Sequence, residues 1–515
     1  MTPGAAGTDP WEALRTAAAG WNWLSRTSEI WWTRGAGMAA VSAARHARFD
    51  ALVQFARNHS AFYREAYRGL PPHGVGVEEL PVVTKHRLME RFDDWVTDPE
   101  VKRAGVEAFI ADRERIGERY LGRYVLWKSS GTTGEPGIFV QDADALATYD
   151  ALIAAPFETS GPNFARGVIA QGGRAALIAA TGEHFATVAS WRRISRGSPW
   201  LGGRCWSVME PLPSLVAALN AYRPAFLASY PTVLALLAGE QDAGRLRIEP
   251  ARLWSGGECL PPAARVEIER AFGCPIANEY GASECMSIAF GCREGWLHVN
   301  ADWVMLEPVD RNHRPTAPGE PSHTVLLTNL ANRVQPVIRY DLGDSVVARP
   351  EPCACGNPLP AIQVEGRRDD VVALRAPDGS IVRLLPLALA TVIEEAASVH
   401  RFQVIQDAPD RLTLRLAVPD QRERQVAWHA AAKALHDYLA CQSLPNVRVR
   451  LDERPPAIES GSGKLRQVVV APAAHVTAAS PPALSSRGTH RGRARPGNAG
   501  SPARCSPGRS PRTAR

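Results

Sequence analysis

Nine consecutive residues, Ser129-Ser130-Gly131-Thr132-Thr133-Gly134-Glu135-Pro136-Gly137, concentrate four hydroxyls and three glycines. Glycines let a backbone turn sharply and come close to a ligand. Successive backbone N–H groups in such a turn form an anion-binding concavity, to which hydroxyls add donors. The chemistry this composition suits is closure over phosphate oxygens. The stretch is not a GxxxxGK[ST] phosphate loop, because no Lys-Ser/Thr pair ends it and the residues after it read as strand. On its own it also fits an ordinary glycine-rich hairpin loop.

Further downstream come Gly256-Gly257-Glu258, Tyr280-Gly281-Ala282-Ser283-Glu284, Arg339-Tyr340-Asp341-Leu342-Gly343-Asp344, Gly366-Arg367-Arg368-Asp369-Asp370 and Gly461-Ser462-Gly463-Lys464. Carboxylates such as Asp344 accept but do not donate, which suits a vicinal diol. Glu284 offers hard oxygen ligands of the kind Mg²⁺ takes. Lys464, on a Gly/Ser loop, is a mobile point charge suited to phosphate or carboxylate oxygens. A separate set is Cys292, His298, Cys353 and Cys355. Three thiols and one imidazole make a closed tetrahedral set of the structural zinc kind, the alternative being separate thiols beside a surface histidine. Cys285 reads as a buried thiol, and no GxSxG nucleophile motif is present.

The elements that must position these residues follow from hydrophobic patterning. Apolar runs at 124–127 and 138–140 flank the hydroxyl-rich loop as strands, and 39–68 has helical spacing throughout. From Gly167 onward, strand-like runs (168–170, 176–180, 225–228, 253–255, 275–278) alternate with helix-like ones (212–221, 231–237, 261–272). Such alternation predicts βαβ units around a largely parallel sheet. Ligands of such sheets sit beyond the carboxyl ends of the strands, which is where Gly256-Gly257-Glu258 and Tyr280-Gly281 fall. After Gly366 the pattern becomes strands at 371–374, 402–405 and 412–416 between helices at 385–396 and 425–439. The fold class expected is α/β: a large N-terminal domain with mixed, largely parallel sheets and helices, and a small mobile α+β C-terminal domain. The expected boundaries are a partly disordered segment at 1–35, a large domain at 36–366, a small lid at 367–474 and a disordered basic tail at 475–515. Trp21, Trp23, Trp31 and Trp32 are expected to pack on the body.

Composition narrows the function classes. The chain has 515 residues and a formal charge of +6, but eight arginines and no acid lie between Pro481 and Arg515, so the remainder carries −2. The basic balance is therefore no nucleic-acid signature, and no specific nucleic-acid partner is expected. No apolar run reaches the ~18–20 residues of a membrane span, and no basic-then-apolar leader opens the chain. The expected setting is cytoplasmic. Nine cysteines there point to metal ligands or buried thiols rather than disulfides.

The ordered series of motifs resembles the adenylate-forming superfamily of acyl-CoA synthetases, peptide-synthetase adenylation domains and luciferases. The phenylacetate-CoA ligase branch is the most similar, on the strength of Leu80-Pro81-Val82-Val83-Thr84-Lys85 and the Cys-rich insert. The resemblance covers roughly residues 45–470. It implies ATP-dependent conversion of a carboxylic acid, aromatic by branch analogy, to an acyl-adenylate. Transfer to coenzyme A follows, with loss of AMP and pyrophosphate. Ser129, Ser130, Gly131, Thr132, Thr133 and Gly134 would bind the β- and γ-phosphates, and Gly256, Gly257 and Glu258 would line the adenine site. Tyr280, next to Gly281, would stack on adenine, Ser283 would touch phosphate and Glu284 would hold Mg²⁺. Asp344 would bind both ribose hydroxyls, Arg367 would face the nucleotide and Asp369 would be the hinge. Lys464 would contact the acyl and α-phosphate oxygens, and the acyl pocket would lie near residues 228–232 and Ala282. Cys292, His298, Cys353 and Cys355 would hold a structural Zn²⁺, as in some members of the branch. The partners implied are the acid, ATP and CoA, and a homodimer is one assembly the sequence permits. Adenylation alone, loading of a carrier-protein thiol, and a catalytically weak nucleotide-binding module are the alternatives. Two departures stand out: Glu135 where the family usually has lysine, and Leu342 where it usually has threonine.

Overall fold

The computed structural model of the protein describes residues 10–129, 136–158, 172–197, 203–365, 372–384, 386–399, 401–457 and 467–471. Its centre is a nine-stranded mixed sheet. Five strands, in the spatial order Gly203–Ser207, Ala175–Ala179, Phe226–Ser229, Arg252–Gly256 and Ile276–Ala282, pair in parallel. The helices Ala186–Gly197, Leu212–Tyr222, Pro231–Asp242 and Pro262–Phe272 connect them. This is the βαβ pattern anticipated from the alternation of apolar runs. Every residue of Ala175–Ala179 is buried, as in a strand covered on both faces. Pro231 and Pro262 each open a helix, where a fixed φ helps and no N–H is needed.

Beyond Ile276–Ala282 the sheet turns antiparallel through Cys285–Gly291, Leu297–Val299, Ala361–Glu365 and Ser345–Ala348. A second, antiparallel sheet joins Val304–Val309, Thr324–Asn329 and Val337–Asp341. The strands Tyr124–Lys128 and Ile138–Gln141 form the arms of the hydroxyl-rich hairpin.

The C-terminal segment is α+β. Strands Arg448–Asp452, Arg411–Leu416, Phe402–Ala408 and Val468–Val470 form one sheet, accompanied by helices Pro386–Ala397 and Gln421–Cys441. Leu389, Phe402, Val404 and Leu414 belong to the same buried apolar cluster as Leu227, Leu253 and Ile276 of the large sheet. The segment also docks through Gln442 Nε2, which donates to the Met209 carbonyl at 2.8 Å. The expected boundary at 366/367 and the basic tail lie outside the described residues.

Two expectations change. The helix read over 39–68 is two, Met38–His59 and Ala61–Ala66. Ser60, in extended backbone, separates them, and its hydroxyl accepts from Tyr63 N as an N-cap. The apolar spacing runs on across the break, which hid it. The tryptophans at 21, 23, 31 and 32 are exposed rather than packed; they lie on a helix, Pro10–Gly35, whose inner face is held by Ile30 and Arg34. The strand read at 168–170 lies outside the described residues. Among the described residues, no helix is long and apolar enough to cross a membrane.

Candidate nucleotide site and Cys/His cluster

Ser283 and Glu284 form the two-residue link between Ile276–Ala282 and Cys285–Gly291. Gly281 is required for this tight reversal: a Cβ there would sit 2.0 Å from the Met286 carbonyl oxygen. The link is held from two sides. Trp127 Nε1 donates to the Ser283 carbonyl at 2.8 Å, and Asn329 Nδ2 donates to the Glu284 carbonyl at 2.9 Å. Trp127 is in the arm that leads directly into the hydroxyl-rich loop.

Two tyrosine–carboxylate bonds then lace the 280–284 and 340–344 segments together in opposite senses. Tyr280 Oη donates to Asp344 Oδ2 at 2.8 Å, and Tyr340 Oη donates to Glu284 Oε1 at 2.6 Å. Burial, reinforced by the partner carboxylate, holds both phenols well above their ordinary pKa, so both remain donors.

The Leu80–Lys85 stretch joins this assembly. Val83 N donates to the Arg339 carbonyl and Asp341 N to the Val83 carbonyl. Arg339 Nη1 donates to the carbonyls of Leu80 and Glu78. Lys85 Nζ reaches Ser129 Oγ at 3.4 Å. Ser129 closes the neck of the loop, its N donating to the Gly137 carbonyl at 2.8 Å and its Oγ accepting from Gly137 N at 2.7 Å. The loop itself lies outside the described residues: Ser130, Gly131, Thr132, Thr133, Gly134 and Glu135. So do Arg367, Asp369 and Lys464.

Gly256 ends the strand Arg252–Gly256, and Gly257 follows at φ 79°, where a Cβ would lie 3.0 Å from the Tyr230 ring. Glu258 turns to the helix Pro231–Asp242: its Oε2 accepts from Thr232 N at 3.1 Å and Thr232 Oγ1 at 2.8 Å. That places a carboxylate at a helix N-terminus, where it is electrostatically favoured.

Sequence reasoning missed four residues here. Tyr340 lay inside a quoted motif without a role, and Lys85 inside another. Trp127 had no signal beyond its position before the loop. Glu279 was passed over although it adjoins Tyr280. It is buried, accepts from Trp254 Nε1 at 3.1 Å through Oε2, and its Oε1 has no hydrogen-bond partner among the described residues. Burial pushes its carboxyl up to about 7, with Ser287 and Trp254 opposing.

The C-terminal segment reaches the neck of the loop. A cleft between them is lined by Lys128, Ser129, Glu183, Thr391, Glu394 and Glu395. Lys128 Nζ pairs with Glu183 at 2.6 Å, and Arg113 contacts both Glu183 and Glu395 at 2.9 and 3.5 Å.

At the far end of Cys285–Gly291, the four residues read as metal ligands meet. One donor atom from each of Cys292, His298, Cys353 and Cys355 lies within 4.8 Å of the others. Cys292 Sγ and Cys353 Sγ are 3.8 Å apart, and His298 Nε2 is 3.2 Å from Cys355 Sγ. Tetrahedral zinc with Zn–S bonds of ~2.3 Å would hold two sulfurs roughly 3.8 Å apart. His298 Nδ1 lies 2.8 Å from the Leu359 carbonyl. A proton on Nδ1 would direct the Nε2 lone pair at the thiols, the usual outer-shell device for a ligating imidazole. The donor set and its geometry fit a structural zinc.

No family model matches the chain. Over 307 residues, 58% of the chain, it is 22% identical to the protein CapK of Staphylococcus aureus, and the match spans 61% of that protein's length. A 2-hydroxyisobutyryl-CoA ligase in the postadenylation state with 2-HIB-AMP superposes with a TM-score of 0.50 at 19% identity, covering 84% of this chain and 90% of that one. The same ligase with 2-HIB-AMP and CoA, in its thioesterification state, gives 0.52 at 20% identity, with coverages of 83% and 89%. The fold is that of the adenylate-forming ligases.

Proposed function

We propose that this chain is an AMP-forming acid–thiol ligase. A carboxylate oxygen attacks the α-phosphorus of ATP and pyrophosphate leaves. The thiol of coenzyme A then attacks the acyl carbon and AMP leaves. A carboxylate is a poor electrophile because oxide would be its leaving group; the adenylate supplies a better one. The observation that carries this reading is the reciprocal lacing of Tyr280 to Asp344 and Tyr340 to Glu284, tied through Trp127 to the arm of the hydroxyl-rich loop.

Asp344 is assigned to the ribose diol, Tyr280 to the adenine face, and Gly256, Gly257 and Glu258 to the adenine edge. Ser129 and the loop after it, through Gly134, are assigned to the phosphates, with Ser283 beside them. Arg367 faces the nucleotide, Asp369 is the hinge and Lys464 neutralises charge on the α-phosphate. Glu284 would hold Mg²⁺, which when bound supplies charge neutralisation at the phosphates. Cys292, His298, Cys353 and Cys355 would hold Zn²⁺, which would cross-link the strand Leu297–Val299 and the turn before it to the loop between Ser345–Ala348 and Ala361–Glu365. The acid preferred is aromatic, a reading that rests on branch resemblance.

Lys464→Ala tests the assignment. Adenylate formation from acid and ATP should be abolished, while thioester formation from a supplied acyl-adenylate and CoA should survive. Retention of both half-reactions would remove Lys464 from the site.

A further inference from the structure

Glu279 is a buried carboxyl that none of the assigned roles uses. It is 8% exposed. Its Oε2 accepts from Trp254 Nε1 at 3.1 Å, and its Oε1 has no hydrogen-bond partner among the described residues. Leaving a buried acceptor unmatched costs on the order of 1–3 kcal/mol, and more when it is charged. Among the described residues no cation answers it either. Its charged form is favoured by Ser287 and Trp254, both neutral. Ser287 Oγ accepts from Asn300 Nδ2 at 3.1 Å, and Asn300 Oδ1 from Arg34 Nη2 at 2.8 Å. Arg34 is itself paired with the buried Asp302 at 2.8 Å.

The position of Glu279 connects this free oxygen to the site. Glu279 pairs with Gly256, the last residue of its strand, and so stands at the carboxyl end of the parallel run, where ligands of such sheets sit. Consecutive residues of a strand project to opposite faces. Glu279 therefore looks away from Tyr280, the residue assigned to adenine. It shares its face with Trp254, two residues before Gly256, and with Ala228, which pairs with Trp254. Ala228 opens the stretch read as acyl pocket. The Trp254 ring reaches forward over Gly256, where a Cβ would lie 2.9 Å from it. We propose that Glu279 is a specificity-determining residue of the acyl pocket, its free Oε1 accepting a hydrogen bond from an amino or hydroxyl group carried by the acid. This rests on the ligase reading above and narrows it: the preferred acid bears a donor on its acyl part. A site built around such a donor rejects the analogue that lacks it, because the buried acceptor is then left unpaired.

Matched acids on the full chain test the proposal: phenylpropionate, phenyllactate and phenylalanine as one series, benzoate with its hydroxy and amino derivatives as another. Pyrophosphate release with ATP and Mg²⁺ should favour the best donor-bearing acid over its unsubstituted parent by about 10–100-fold in kcat/KM. Glu279→Leu should bring that preference to within about 3-fold, through lost activity on the donor-bearing acid. Glu279→Gln keeps an acceptor and loses the charge, so it should retain most of a preference for a hydroxyl and lose most of one for an ammonium. Melting curves verify folding, and if the Leu variant is unfolded the Gln variant decides. Discrimination that survives unchanged in the variants, or a wild type indifferent to the donor, would overturn the proposal and leave Oε1 to an ordered water. Calorimetric binding of the same acids separates this from the ligase reading. Silence of every acid in the pyrophosphate assay would sink the ligase reading alone; equal or absent binding of donor-bearing and parent acids would sink the role of Glu279.

Discussion

The strand Cys285–Gly291 begins one residue after Glu284 and ends one residue before Cys292, so it joins two regions built on opposite principles. At its start, the groups assigned to ATP already satisfy one another: Tyr280 with Asp344, Tyr340 with Glu284. A nucleotide binding there has to exchange hydrogen bonds for hydrogen bonds, which keeps the net gain of each to about 1 kcal/mol and favours reversible occupancy. At its end, three thiols and an imidazole face each other at 3.2–3.8 Å for the close pairs. Such a set matches the donors of a structural zinc site, and a metal bound there would stabilise the fold directly. The first arrangement suits turnover and the second suits permanence.

Four substitutions sharpen or break this contrast. The largest effect is expected from Glu284→Gln, which should lower acid-dependent ATP–pyrophosphate exchange by about 10²–10³-fold. It should leave metal content and melting temperature near wild type; a metal-depleted or unfolded variant would show that the two regions are not separable. Next, Cys355→Ser should reduce bound zinc from one equivalent to below about half. The melting temperature should fall by an amount on the order of 3 kcal/mol in stability, with the exchange activity of the folded fraction little changed. Unaltered melting would demote the cluster to separate thiols.

Glu279→Gln should act through pH. A buried carboxyl held up at about 7, against an ordinary 4.5, stabilises the folded state below the lower value. That contribution is lost as pH rises through the higher one. The variant should therefore melt at progressively higher temperature than wild type as pH goes from 5 to 8, the gap growing by on the order of 1–3 kcal/mol. A pH-independent gap would mean that Glu279 is not ionising in the fold. The smallest effect is expected from Tyr340→Phe, which removes one donor to Glu284 and should change kcat/KM for ATP by about 5–10-fold. A loss as large as that of Glu284→Gln would make Tyr340 a direct participant.

Four of the five parallel strands were legible because they are short apolar runs between helical segments, a pattern that needs no tertiary context; the strand Gly203–Ser207 and the helix Ala186–Gly197 before it were not read, because Gly-Arg-Cys-Trp-Ser makes no apolar run. The Cys/His set was legible for a similar reason, since thiols and an imidazole are few enough for spacing to carry information. What could not be read was lateral. Tyr340 and Trp127 act on residues more than fifty positions away, and aromatic side chains in apolar runs look like core until their hydroxyl or indole N–H finds a partner. Glu258 was read from its motif, and its hydrogen bonds to Thr232 depend on a strand-to-helix crossing that spacing does not encode. The tryptophans of the first helix were misplaced for the opposite reason: apolar character alone cannot distinguish a face packed on its own chain from one turned outward.

The central claim is that a carboxylate oxygen becomes bonded to the α-phosphorus of ATP. It is tested most directly by incubating the enzyme with ATP, Mg²⁺, CoA and a panel of aryl and aliphatic acids labelled with ¹⁸O in the carboxyl group. The AMP released is then read by mass spectrometry. The account predicts AMP carrying one ¹⁸O atom, formed together with a CoA thioester of one acid class. Unlabelled AMP, or ADP in its place, would contradict it.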